Sequence, residues 1–149
     1  MKNKQSLPSN GKVLVGGCFD ILHYGHIHFL KHAKALGNHL VIALESDKNI
    51  KKLKGVGRPI HDQNKRREVL ESLNFVDEVI ILKDEMRDSD YFELVDRVRP
   101  LVIAVTAGDP MIEKKKSHAF KVGAKVIEIP KIDSPSTTQI ARLLELETN

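Results

Sequence analysis

The stretch "GGCFDILHYGHIHFL", Gly16 to Leu30, sets two glycines, an aspartate and three histidines between an apolar run and an amphipathic segment. Upstream, Val13-Leu14-Val15 reads as a strand ending at Gly16-Gly17. Downstream, Phe29, Leu30, Ala33 and Leu36 recur at helical spacing, and Gly37 follows as a C-cap signal. His23 and His26, with Gly25 between them, therefore sit where a first strand hands over to a first helix. A helix N-terminus offers free backbone N–H groups and the positive end of the helix dipole, a combination that attracts phosphate. Two imidazoles add directed donors, and glycine lets a phosphate approach the backbone. Two other readings compete. His23, His26, His28 and Asp20 are plausible metal ligands, but no second ligand cluster stands out. Alternatively the histidines are capped or solvated, which is the preferred reading for His28 because Phe29 and Leu30 face the core. Cys18 reads as a small buried residue rather than a nucleophile.

The same alternation continues along the chain. Leu40 to Leu44, Val79 to Leu82, Leu101 to Val105 and Val126 to Ile129 are unbroken apolar runs, the signature of strands covered on both faces. Between them, Asp62 caps a helix carrying Val69, Leu70 and Leu73, and Asp90 caps one carrying Phe92, Val95 and Val98 before Pro100. A further helix runs from about Met111 to near Gly123, and Ser136 to Thr138 open a last one with Ile140, Leu143 and Leu144. Lys48 to Gly57, basic and glycine-bearing, reads as a loop. Strand-helix alternation predicts a single α/β, Rossmann-like, doubly wound domain with a five-stranded parallel sheet. Residues 1–11 read as a flexible leader and 12–149 as the domain. In such sheets ligands bind beyond the carboxyl ends of the strands. Gly16 to His26, Ser46 to Arg58, Thr106 to Asp109 and Ser134 to Thr138 all fall there.

Bulk composition is consistent with this reading. A chain of 149 residues suits one domain with a real core. A single cysteine excludes an internal disulfide and fits a reducing cytoplasm. No apolar run spans a bilayer and the leader lacks a signal peptide's apolar middle, so no membrane partner is expected. The net charge of +4 serves a phosphate-bearing small substrate as well as nucleic acid. Lys114-Lys115-Lys116 reads as a solvated helix face, so nucleic acid is not an expected partner. No G-x-G-x-x-G follows the first strand, which disfavours a dinucleotide module.

Gly17-Cys18-Phe19-Asp20-Ile21-Leu22-His23-Tyr24-Gly25-His26 resembles the H-x-G-H signature of the cytidylyltransferase-like nucleotidyltransferases. The resemblance continues in order through Lys51-Lys52-Leu53-Lys54-Gly55 with Arg58-Pro59, Arg66, Gly108-Asp109, and Ser136-Thr137-Thr138-Gln139-Ile140. Within that superfamily the chain is similar to the adenylyltransferase part of bacterial ADP-heptose synthases. It departs from them at Thr106-Ala107, where they usually carry lysine-glycine before the glycine-aspartate. The resemblance implies transfer of a nucleoside monophosphate from an NTP, ATP or CTP, to a phosphorylated sugar or polyol, with release of pyrophosphate. ATP with heptose 1-phosphate is the favoured pair, and CTP with glycerol 3-phosphate the alternative. A nucleotide-sensing or nucleic-acid-binding domain is the non-enzyme alternative. It further implies Mg2+ accompanying the nucleotide and a homodimer.

On this reading His23 and His26 donate to phosphate oxygens as charge builds, and Lys51 and Lys54 hold triphosphate or acceptor phosphate. Gly17, Cys18, Phe19 and Gly25 line the nucleotide site. Asp20 orients the loop or helps position the magnesium-bound nucleotide. Arg66 contacts a phosphate, or else forms a structural salt bridge. Gly108 and Asp109 approach ribose or base, and Ser136, Thr137 and Thr138 bind the β- and γ-phosphates. An acceptor phosphomonoester is already mostly dianionic at neutral pH, so no general base is required.

Overall fold

The computed structural model describes residues 11–147; the rest of the leader, residues 1–10, lies outside the described residues. Five strands, β1 (Lys12–Gly17), β2 (His39–Leu44), β3 (Glu78–Ile81), β4 (Val102–Thr106) and β5 (Lys125–Ile129), form one parallel sheet in the order β3-β2-β1-β4-β5. Six helices connect and flank them: α1 (Tyr24–Lys34), α2 (Asp47–Lys54), α3 (Gln63–Glu71), α4 (Asp88–Val98), α5 (Ile112–Val122) and α6 (Thr137–Glu147). This is the expected doubly wound, Rossmann-like arrangement. The strand order reverses at β1, and a crevice opens beyond the carboxyl ends of β1 and β4.

Period-2 alternation divides the core. Val13, Val15, Leu40, Ile42 and Leu44 face one layer with Leu30 and Ala33 of α1 and Leu70 of α3. Leu14, Val41, Ala43, Ile103 and Val105 face the other, against Leu94, Val95 and Val98 of α4 and Ala119 of α5. Both faces of β1, β2 and β4 are covered, which is why their sequences are continuously apolar. β3 is different: its residues are half-buried or exposed, because it is an edge strand with β2 as its only neighbour. The Gln63 side-chain amide ties these strands together by donating to the carbonyls of Leu44 and Leu82, each at 3.0 Å.

Three local expectations need correction. The segment read as a basic loop contains α2, capped by the Ser46 hydroxyl, which accepts from the Asn49 N–H at 3.1 Å. Fully buried Ile50 anchors it, and Gly55 at φ 93° ends it. Burial of one isoleucine and one cap contribute about 1.5–3 and about 1 kcal/mol, enough to hold an eight-residue helix that its lysine content disguises. Asp90 is not the cap of α4 but its third residue. Its carboxylate accepts from the Arg87 N–H at 2.8 Å and pairs with Lys83, which lower its pKa to about 2. Helix α1 ends at Lys34 rather than at Gly37; Gly37 instead lets the chain pass the Gly11 carbonyl, which an added Cβ would meet at 2.4 Å. In α6, a helix at the expected place, Leu143 and Leu144 are exposed.

Candidate active site

The Gly16–Leu30 stretch folds into the end of β1, a tight loop and the first turn of α1. Phe19 adopts a left-handed backbone, φ 45°, and tucks its ring into the core. A side chain at Gly17 would meet that ring at 2.8 Å, so the glycine is what admits the phenylalanine. His23 is the N-cap of α1: its Nδ1 accepts from the Gly25 N–H at 3.1 Å. Accepting at Nδ1 fixes a neutral ring with its proton on Nε2, a donor free for another partner. A Cβ at Gly25 would lie 2.9 Å from the His23 ring, so this glycine makes room for the cap. His26, one turn on, stacks on His23 with ring centroids 3.8 Å apart and meets Phe19 edge-on at 5.2 Å.

Burial, then the neighbouring His23, hold the His26 pKa down at about 4, and burial lowers that of His23. Both rings are neutral donors at pH 7. Buried His26 Nδ1 has no hydrogen-bond partner among the described residues. Above pH 6.5 His26 is neutral whether folded or unfolded; between 6.5 and about 4 only the unfolded chain takes up the proton. Stability is therefore complete above 6.5 and declines as pH falls towards 4, by about 3 kcal/mol in all. Urea midpoints at about pH 7 and about pH 4.5 should separate more for the native protein than for His26→Ala. Equal separations would contradict a buried neutral ring.

Asp20 follows Phe19, and only 1% of its side chain is exposed. It accepts from the backbone N–H groups of Ile60 (2.8 Å) and His61 (2.9 Å) and from Arg58 Nε (2.9 Å). Burial alone would raise its pKa; these three donors outweigh it and hold the carboxyl below its usual range. Arg58 Nη1 reaches on to the Thr138 hydroxyl at 3.3 Å, and the Thr137 hydroxyl donates to the Ile21 carbonyl at 2.9 Å. The loop after β1, the segment after α2 and the start of α6 are thereby tied into one wall. Ser136 caps α6 reciprocally: its hydroxyl accepts from the Gln139 N–H, and the Gln139 side chain accepts from the Ser136 N–H.

These walls enclose a cleft of about 440 Å³ at the carboxyl ends of β1, β4 and β5, within the range of small-ligand sites. Gly17, Cys18, Phe19, Asp20, His23, Gly25, His26, Lys54, Asp109, Ser136 and Thr137 all line it, as the sequence reading expected. Burial pushes the half-buried Cys18 thiol up, which keeps it protonated. Four expected site residues stand elsewhere. Arg66 is fully buried and spends its guanidinium on the carbonyls of His61, Cys18 and Glu45 and on Asp47 Oδ1, so it braces backbone instead of facing a phosphate. Lys51 is exposed on α2 away from the cleft, because only the helix's C-terminal end reaches it. Thr138 faces Arg58, and Gly108, at φ 82°, shapes the turn after β4 without lining the cavity.

Three cleft residues escaped the sequence reading. Arg58 was legible only as part of a basic loop. Lys115 lay hidden in a lysine run, and Lys131 follows β5 with no motif around it. Each cleft carboxylate is already paired, Asp20 with Arg58 and Asp109 with Lys115. Lys54 and Lys131 have no ion-pair partner among the described residues, so the cavity carries uncompensated positive charge. His28 also borders the cleft, stacked on His32 at 4.0 Å. Among the described residues no cluster of three or more His, Cys, Asp and Glu side chains is placed to hold a metal, and no helix is long and apolar enough to cross a membrane.

A parallel sheet with stacked, neutral imidazoles at a helix start and a cationic cleft at its carboxyl end defines an α/β nucleotidyltransferase of the H-x-G-H type. The chain belongs to the cytidylyltransferase-like family, which it matches over residues 14–140. It is 41% identical over 135 residues to an FAD synthase of Thermococcus sibiricus, covering 87% of this chain and 88% of that one. It is 38% identical over 133 residues to the bifunctional protein HldE of Campylobacter fetus, covering 88% of this chain but only 28% of the relative. Among solved structures it resembles the lipopolysaccharide core biosynthesis protein of Thermoplasma volcanium, with a TM-score of 0.71 and 32% identity over 82% of this chain and 98% of that one.

Proposed function

We propose that this protein transfers AMP from ATP to a phosphomonoester, with a sugar 1-phosphate of the heptose type as acceptor. An acceptor phosphate oxygen attacks the α-phosphorus in line, forming a new P–O–P bridge. The bond from the α-phosphorus to the bridging oxygen breaks, and pyrophosphate leaves. His23 and His26 donate to the oxygens on which charge builds, and Lys54 and Lys131 attract the phosphates. The observation that carries this reading is the stacked pair of neutral imidazoles at the start of α1, inside a cleft with uncompensated positive charge.

Mg2+ enters, on this proposal, as the counter-ion of the triphosphate. Asp20 and Asp109, the cleft's two carboxylates, are already engaged by cations and N–H groups, so the donor set does not suit direct ligation by protein. Adenine is supported by both kinds of relative, since FAD and ADP-heptose are each adenylyl derivatives. The HldE relatives and the Thermoplasma structure support a sugar acceptor. A second reading, with FMN as acceptor, is favoured by the near-complete length match to the Thermococcus FAD synthase. Pyrophosphate release with ATP or CTP against heptose 1-phosphate, FMN and glycerol 3-phosphate tests the choice. Turnover of ATP with heptose 1-phosphate is expected; turnover with FMN selects the second reading, and CTP with glycerol 3-phosphate overturns the assignment of adenine.

The two α2 lysines Lys51 and Lys54 should separate in the same assay. Lys54→Ala should raise the KM for a phosphate-bearing substrate about tenfold, whereas Lys51→Ala should stay within about twofold of wild type. Equal effects would mean that the cleft wall is drawn wrongly at α2.

A further inference from the structure

Helix α1 carries a second pair of histidines, His28 and His32, one turn apart and outside the proposed chemistry. Their rings lie face to face, with centroids 4.0 Å apart and planes 24° from parallel. His32 is exposed, and His28 is half-buried at the border of the cleft. Two imidazoles at this helical spacing share one face, the spacing at which helices hold transition metals.

Hydrogen bonding prepares this pair for a metal and the first pair against one. His32 Nδ1 stands 2.8 Å from the His28 carbonyl oxygen, which can only accept, so the ring proton is on Nδ1. The neutral ring therefore keeps its lone pair on Nε2, which has no partner among the described residues. A ring N–H donated to a backbone carbonyl is the arrangement that fixes the tautomer of a metal-ligating imidazole and raises its basicity. His23 is the reverse: its Nδ1 accepts from the Gly25 N–H, so Nε2 carries the proton and is no ligand. The His28 ring meets Tyr24 and His32, and neither of its nitrogens is hydrogen-bonded among the described residues. It is free to turn about χ2, a soft torsion, and to bring a nitrogen to the same ion as His32.

We propose that His28 and His32 form a two-histidine site for a divalent transition-metal ion on α1, at the border of the cleft and separate from the Mg2+ of the triphosphate. Imidazole suits an ion of the zinc, nickel or copper type, whereas Mg2+ and Ca2+ require oxygen ligands. No group of three His, Cys, Asp and Glu side chains is placed to hold a metal among the described residues, so water fills the ion's other positions. Because His28 belongs both to the pair and to the cleft border, a bound ion adds positive charge beside the phosphate-binding groups. The site stands on these two side chains and holds whether or not the chain is a nucleotidyltransferase.

Calorimetric titration of the full chain with Zn2+, in a non-coordinating buffer and without nucleotide, tests the site. One ion should bind per chain, and Mg2+ in large excess should not displace it. His28→Ala and His32→Ala should each weaken that binding about tenfold or more, and the double variant should remove it. Alanine is favoured in a helix, so these variants should fold. His39→Ala and Cys18→Ala change other zinc-ligating side chains and should leave the affinity unchanged. Electron paramagnetic resonance with Cu2+ should show two imidazole nitrogens on the ion in the native protein and fewer in either single variant. Unchanged zinc affinity in His28→Ala or in His32→Ala would overturn the proposal. Loss of binding in Cys18→Ala would move the ion to the thiol in the cleft and overturn it too, as would displacement by Mg2+ or the absence of any bound ion in the native protein.

Discussion

Replacing His26 with alanine should lower kcat about 10²–10³-fold, the usual cost of one preorganised donor at the transition state. Stability at pH 7 should change little. The lost contacts with His23 and Phe19 are offset by removing a buried nitrogen that has no partner among the described residues. KM for ATP should move less than kcat, because the donor matters most as charge develops on the α-phosphate. His26→Asn retains a donor and should recover part of the loss. Steady-state kinetics beside urea unfolding separate these terms. A variant with near-native kcat would remove the imidazole pair from the chemistry, whatever its effect on stability.

Replacing Arg66 with methionine should cost about 3–5 kcal/mol of stability. The side chain is fully buried, and its guanidinium donates at 2.7–3.0 Å to three backbone carbonyls and one carboxylate. Those carbonyls belong to Cys18, Glu45 and His61, on three segments around the cleft that the arginine holds together. Methionine fills the volume and leaves the acceptors unmet, whereas half-exposed Asp47 can turn to water. Lysine is not an adequate substitute, since a point charge cannot span acceptors arranged for a planar fork. Denaturant midpoints measure the effect. Unchanged stability with a raised KM for ATP would restore the phosphate-binding role that the sequence pattern suggested.

Arg66 shows where sequence reading stops. Its position in the motif order is legible, but whether an arginine on that helix points outward to a ligand or inward to carbonyls is decided by packing between distant segments. The fold was more accessible. Continuous apolar runs, helical spacing and cap residues identified all five strands and five of the six helices, because each signal is local. Helix α2 was missed because its four lysines conceal a single buried anchor, Ile50. β3 was read as buried because edge and central strands of a parallel sheet share their apolar composition. Within the site, the histidines and glycines were legible as a motif, but the sequence assigned the glycines to phosphate approach, whereas Gly17 and Gly25 sit where a side chain would collide with Phe19 or His23. Lys115 was not legible: nothing in three consecutive lysines says which one turns inward.

On the proposed function a nucleotidyl group moves intact from the triphosphate to a phosphomonoester. Phosphorus NMR of the protein with magnesium ATP and the acceptor panel tests it most directly. Pyrophosphate and a pair of mutually coupled diphosphate resonances should grow together in one-to-one ratio, only when an acceptor phosphomonoester is present, and His26→Ala should slow both alike. Release of inorganic phosphate and ADP, or of AMP without a new diphosphate ester, would contradict it.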